Sequence, residues 1–118
     1  MGLTFIEAAL TGPTGGQRNV KFLVDSGATY SLLPQEDWQA LGLQPKRNLS
    51  FTLADGTTIS RDVSECRIAV AGHEGHSPVI LGEPDDDQAL LGIVTLENLG
   101  LILDPFKRQL RPMQLRLA

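Results

Sequence analysis

Asp25-Ser26-Gly27-Ala28 follows directly on the strongly β-prone run Val20-Lys21-Phe22-Leu23-Val24. A carboxylate stands where the bland expectation would be another apolar residue or a turn. A carboxylate so placed can take a proton from water or return one, so the chemistry open to Asp25 is general acid–base catalysis. Gly27 lets the backbone turn tightly and lets another chain come close. Ser26 adds a small hydroxyl that both donates and accepts hydrogen bonds. Taken alone, Asp-Ser-Gly also reads as a polar turn, and short motifs match by accident.

The remaining reactive residue types are weaker candidates. His73-Glu74-Gly75-His76 brings two histidines close, but Gly75 and a turn setting disfavour a helical metal pair, and a solvated turn is expected. Glu83, Asp85, Asp86 and Asp87 lack the alternating ligand spacing of a calcium loop and read as a solvated acidic loop. Cys66 carries no activating motif, so a small buried hydrophobe is expected there. Gly12-Pro13-Thr14-Gly15-Gly16-Gln17-Arg18 lacks the Gly-Lys-[Ser/Thr] of a phosphate loop. Lys107, Arg108, Arg111 and Arg116 are spread over turns and strands as a charged face.

Many short strands with turn signals between them must position these groups. Strands are predicted over Leu3–Leu10, Val20–Val24 and Ser31–Leu33. Pro34 then opens a helix running to Leu41, with Glu36 and Asp37 in its first turn and Gly42 as its stop. Leu49–Leu53 and Thr57–Arg61 flank Ala54-Asp55-Gly56, and Asp-Gly between β-prone runs signals a hairpin. Val63–Ala71 continues as a strand, Gly72–Gly75 turns it, and Val79–Leu81 forms another. Leu90–Ile93 leads into a short helix, Thr95–Leu99, with Thr95 as cap and Gly100 as stop. Strands at Leu101–Leu103 and Gln109–Arg111 follow, and the alternation of Met113, Leu115 and Leu117 predicts a half-buried terminal strand.

The chain has 118 residues, of which 42% are apolar and 5% aromatic, with a net charge of −4. That composition is expected of one domain spanning 1–118, its core built from Leu, Ile, Val and Ala. The acidic balance lacks the footprint of a nucleic-acid binder. One cysteine leaves no internal disulfide and fits a reducing compartment. The N-terminal stretch has no basic region and is interrupted at Glu7, so no secretory signal is read there. Ile6 stands where a myristoylation motif needs Ser or Thr, and no run approaches the roughly 18 apolar residues of a membrane span. A soluble, cytoplasmic protein is expected. At this size a deep cleft is expected only where subunits share it.

The order of these parts resembles the retropepsin-like aspartic proteases, small homodimeric relatives of pepsin. The likeness runs from about Val20 to Leu110. It rests on Phe22–Leu33 around Asp-Ser-Gly, on the Asp-Gly hairpin about thirty residues later, and on Ala89-Leu90-Leu91-Gly92-Ile93 before a helix and Leu101-Ile102-Leu103-Asp104. The resemblance implies a mostly β fold, a closed acid-protease-like barrel with one or two short helices. It implies an endopeptidase in which water is activated between two carboxylates. Two carboxylates held close do not both ionise easily, so the pair offers a base for the water and an acid for the carbonyl oxygen. Neither a metal nor a cofactor is needed for that reaction.

One Asp-[Ser/Thr]-Gly per chain supplies half of such a pair, so the resemblance implies a homodimer in which two copies of Asp25 meet at a two-fold axis. It assigns Ser26 to a hydrogen-bond lock between paired loops, Gly27 to substrate backbone contact and Ala28 to the cleft floor. Ala54, Asp55, Gly56 and Thr57 become a flap closing over a peptide or protein substrate bound as an extended strand. Leu23, Leu32 and Ile93 are expected to line pockets. The best-known viral members differ from this chain, carrying Thr for Ser26, an acidic residue for Thr29 and a glycine-rich flap tip. The competing reading is a non-catalytic module of the same fold, used for dimerisation or peptide binding. An unrelated small β fold with an accidental Asp-Ser-Gly is the third.

Overall fold

Alternation of apolar and polar residues sets the strands. In a computed structural model describing residues 2–117, β1 (Phe5–Thr11) buries Ala8 and Leu10, and β2 (Gln17–Val24) buries Val20, Phe22 and Val24. The two pair antiparallel from Phe5↔Leu23 to Thr11↔Gln17. The intervening turn closes through Gly12 N–H on the Gly16 carbonyl at 2.8 Å, with Gly15 at φ 90°.

After the Asp25 loop come β3 (Ser31–Leu33) and α1 (Gln35–Ala40). Gly42, at φ 72°, ends the helix as expected, since its N–H donates to the Gln39 carbonyl. Next are β4 (Arg47–Thr52), the long β5 (Thr58–Val70) and β6 (His73–Leu81). The chain continues through β7 (Leu90–Leu91), α2 (Ile93–Asn98), β8 (Leu101–Asp104) and β9 (Gln109–Pro112). The mostly β fold with two short helices is as expected.

Seven strands form one sheet in the order β1-β2-β7-β3-β6-β5-β4, and β1 also pairs with β5 over Ala9–Thr11. The pairing thus returns to β1, enclosing Leu10, Phe22, Leu33, Ile68 and Leu91, all fully buried. Among the described residues, β8 and β9 pair only with each other. β5 serves two neighbourhoods. Its first half pairs with β4 in an exposed hairpin, and its second half pairs with β6 and β1 in the body.

Three expectations are corrected. The turn placed at Gly72–Gly75 is only Ala71-Gly72, and His73–Leu81 is one strand paired with β5 from His73↔Val70 to Ile80↔Val63. Its polar first half pairs only with β5, and β3 joins its other edge at Val79, so local hydrophobicity there is low. The second helix starts at Ile93, with Gly92 and not Thr95 at its cap. Met113–Leu117 is not a strand: β9 ends at Pro112, and Leu115 and Leu117 are exposed.

Candidate active site

Asp25 stands at the end of β2, where the backbone leaves the sheet but remains tied to it. Val24 N–H donates to the Thr4 carbonyl at 2.8 Å, and Asp25 N–H donates to the Leu91 carbonyl at 3.0 Å. The loop then closes on itself. Ala28 N–H donates to the Asp25 carbonyl at 3.1 Å, and Gly27 N–H donates to Asp25 Oδ1 at 3.0 Å. A Cβ on Gly27 would lie 3.3 Å from that oxygen, a tight contact that the Asp25 carboxylate would have to shift to admit. Asp25 and Ala28 are half-buried, whereas Ser26 and Gly27 are exposed.

The far side of the loop is held by α2. The first N–H groups of a helix lack partners inside it. Here Ile93 N–H donates to the Ala28 carbonyl at 2.8 Å, and Val94 N–H to the Thr29 carbonyl at 3.0 Å. So close an approach requires Gly92. A Cβ there would lie 2.6 Å from the Tyr30 carbonyl carbon and 3.0 Å from the Ala28 oxygen. At φ −94° any residue could adopt this backbone, so space alone demands glycine.

Beside the loop lies a cleft of about 680 Å³. Gly27, Ala28, Thr29 and Tyr30 form one wall, and Leu49–Leu53, Ile59 and Arg61 of the β4–β5 hairpin form the other. Tyr30 meets Phe51 edge-on with ring centroids 5.9 Å apart, and Arg47 donates to the Tyr30 hydroxyl at 3.0 Å. Of the three apolar residues expected to line pockets, Leu32 does, whereas Leu23 and Ile93 are not in this wall. The hairpin tip, Ala54–Thr57, is exposed beyond it. Asp55 Oδ1 accepts from Thr57 Oγ1 at 2.6 Å and from Thr57 N–H at 2.9 Å. Those hydrogen bonds hold the Asp55 carboxyl below its usual range.

Sequence reasoning missed the charged end of the cleft. Arg61, on the hairpin stem, pairs with Asp86 at 3.1 Å and Glu83 at 3.9 Å, so part of the acidic loop is engaged by a cation across the cleft. It also missed a cluster of buried hydroxyls, Ser31, Ser77 and Thr95, behind Gly92. The other candidates stand apart from this site. His73 and His76 lie on β6, three residues apart and so on opposite faces of the strand. Cys66 is buried in the core, and burial, with Glu65 beside it, pushes its thiol up to about 12. A neutral, enclosed thiol is a poor nucleophile. Among the described residues, no cluster of three or more His, Cys, Asp or Glu side chains is placed to hold a metal. No described helix is long and apolar enough to cross a membrane.

The carboxylate of Asp25 thus sits on a fixed strand end, in a loop that walls a groove under a hairpin. The family model for "gag-polyprotein putative aspartyl protease" matches residues 11–98, and the chain belongs to that family. Its fold is similar to a crystal structure of a retropepsin-like aspartic protease from Rickettsia conorii, with 26% identity and a TM-score of 0.62. That match covers 87% of this chain and 77% of the other. None of the curated proteins matches the chain. Family and fold together support protease activity.

Proposed function

We propose that the chain is a single-domain aspartic endopeptidase that works as a homodimer, with Asp25 of each protomer facing one water. The observation that carries this reading is the Asp25 loop itself. The backbone carrying this one carboxylate is hydrogen-bonded to Thr4, β7 and α2, and its loop forms one wall of the cleft of about 680 Å³.

In the dimer one Asp25 carboxylate takes a proton from the water, while the other, protonated, donates to the scissile carbonyl oxygen. The hydroxide adds to the carbonyl carbon and gives a tetrahedral diol. Proton transfer to the amide nitrogen then lets the C–N bond break, and the amine and carboxylic acid leave. Exposed Ser26 suits a hydrogen bond across the two-fold axis, Gly27 and Ala28 offer a floor for the peptide backbone, and Ala54–Thr57 forms the flap. Leu3, Phe106, Leu115 and Leu117 are exposed near the chain ends, apolar surface that a second copy would cover. A reducing compartment suits the single buried thiol.

Asp25→Asn should lower peptide cleavage by more than about 1,000-fold while leaving the protein folded and dimeric. Wild-type activity should fall faster than linearly on dilution through the dimer dissociation range. Cleavage undiminished in Asp25→Asn overturns the chemistry, and full activity in a monomer overturns the shared site. Peptide binding without cleavage by the wild-type dimer would establish the non-catalytic alternative.

A further inference from the structure

Behind the Asp25 loop, three hydroxyls from three elements meet in the core: Ser31 of β3, Ser77 of β6 and Thr95 of α2, each at most 1% exposed. Ser31 Oγ lies 2.5 Å from Thr95 Oγ1, which lies 2.7 Å from Ser77 Oγ. At one end Gly92 N–H donates to Ser31 Oγ at 2.9 Å, and at the other Ser77 Oγ donates to the Pro78 carbonyl at 3.2 Å. Proton counting fixes every direction. The backbone N–H must donate to Ser31, and the carbonyl must accept the Ser77 proton. The Thr95 proton therefore goes to Ser77, and the Ser31 proton goes to Thr95. Every hydroxyl then donates once and accepts once, and no buried side-chain polar atom among the described residues is left without a partner.

This one-way chain ends on Gly92, the residue wedged against the Tyr30 and Ala28 backbone. On either side of Gly92, the Leu91 carbonyl accepts from Asp25 N–H and Ile93 N–H donates to the Ala28 carbonyl. We infer that Thr95, with Ser31 and Ser77, is a positioning residue that sets where the Asp25 loop sits by holding the Leu91–Ile93 backbone against it. None of the three hydroxyls is among the residues lining the cleft. The kinetic part of this inference rests on the protease reading; the structural part does not.

Thr95→Val keeps the side-chain shape but removes the central link, leaving the Ser31 proton without an acceptor and Ser77 without a donor, both buried. The expected result is a fall in kcat of roughly ten- to a hundredfold, larger than any change in KM, because a small misplacement of Asp25 costs alignment with the reacting atoms more than it costs peptide binding. Thr95→Ser restores the link and should recover most of kcat. Amide hydrogen exchange reads the same coupling without any substrate. In Thr95→Val, exchange at Gly92 and Asp25 should accelerate about tenfold relative to Ile68, in the β5 body. Ser77→Ala breaks the chain at the end remote from the loop and should produce the same pattern more weakly. Unchanged relative exchange at Gly92 and Asp25, or equal acceleration at Ile68, overturns the inference. A kcat loss that Thr95→Ser does not recover also overturns it. If the wild type cleaves nothing, the protease reading fails while the exchange experiment still decides the positioning claim.

Discussion

The two walls of the cleft are built in opposite ways. The Asp25 loop and the strand end before it are tied to Thr4, β7 and α2 by backbone hydrogen bonds and backed by the buried Ser31–Thr95–Ser77 hydroxyls. The β4–β5 hairpin holds to the molecule mainly through its own ladder, and from Gln44 to Asp62 not one residue is fully buried. Its cross-cleft ties are the Tyr30–Phe51 contact, the Arg47–Tyr30 hydrogen bond and the Arg61 ion pairs. Segments with little buried apolar surface open at low cost, whereas those embedded in the core open only with global unfolding. The Asp25 wall is therefore the harder of the two to displace, and the hairpin wall the easier to lift.

This contrast can be broken by mutation, and the wall near the carboxylate should give the larger effects. Gly92→Ala pushes a methyl into the Tyr30 and Ala28 backbone, which has no side chain to swing aside. It should destabilise the fold by about 3 kcal/mol, read from the denaturant midpoint, and suppress cleavage in the folded fraction. On the hairpin, Phe51→Ala removes an edge-on aromatic contact and part of the cleft wall. A loss of about 1 kcal/mol is expected there, with activity lowered through KM and not kcat. Equal sensitivity of kcat to Gly92→Ala and Phe51→Ala would erase the distinction between the walls.

The smallest effect should be at the hairpin tip. The Asp55 carboxyl is held below its usual value by the Thr57 hydroxyl and N–H, so the tip is steadied above the ordinary carboxylate pKa, and that support is lost as pH falls through the lowered value. The Thr57 amide resonance should move with this titration in acid. In Asp55→Asn the titration should vanish, with the global unfolding midpoint nearly unchanged.

Features encoded within a few neighbouring residues could be read directly. β3 occupies Ser31–Leu33 as expected, Gly42 and Gly100 end their helices at positive φ, and Asp55-Gly56 caps a hairpin with Gly56 at φ 88°. Asp25 stood out because an acidic residue interrupted a β-prone run. Thr95 was misplaced because Thr before an apolar helix is a sound local signal for a cap, yet its hydroxyl is drawn inward by Ser31, 64 positions away. The polar half of β6 has the local pattern of a turn, and it is a strand because its partner, β5, supplies the stabilisation that its own composition lacks. The alternating terminal segment has the pattern of a strand, but no pairing in the described structure extends β9 beyond Pro112.

The sequence by itself determined the family pattern and the count of one Asp-Ser-Gly per chain and, through that count, the need for a second copy if Asp25 is to work in a pair. These follow from residue identity and short-range backbone preference. Only the tertiary structure decided what holds the carboxylate: the wedge at Gly92, the α2 amides on the loop carbonyls and the directed chain of buried hydroxyls. Each depends on the donors and acceptors of distant segments being brought within 3 Å of one another or nearly so, as in Gly92 to Ser31 at 2.9 Å, and no local pattern specifies that.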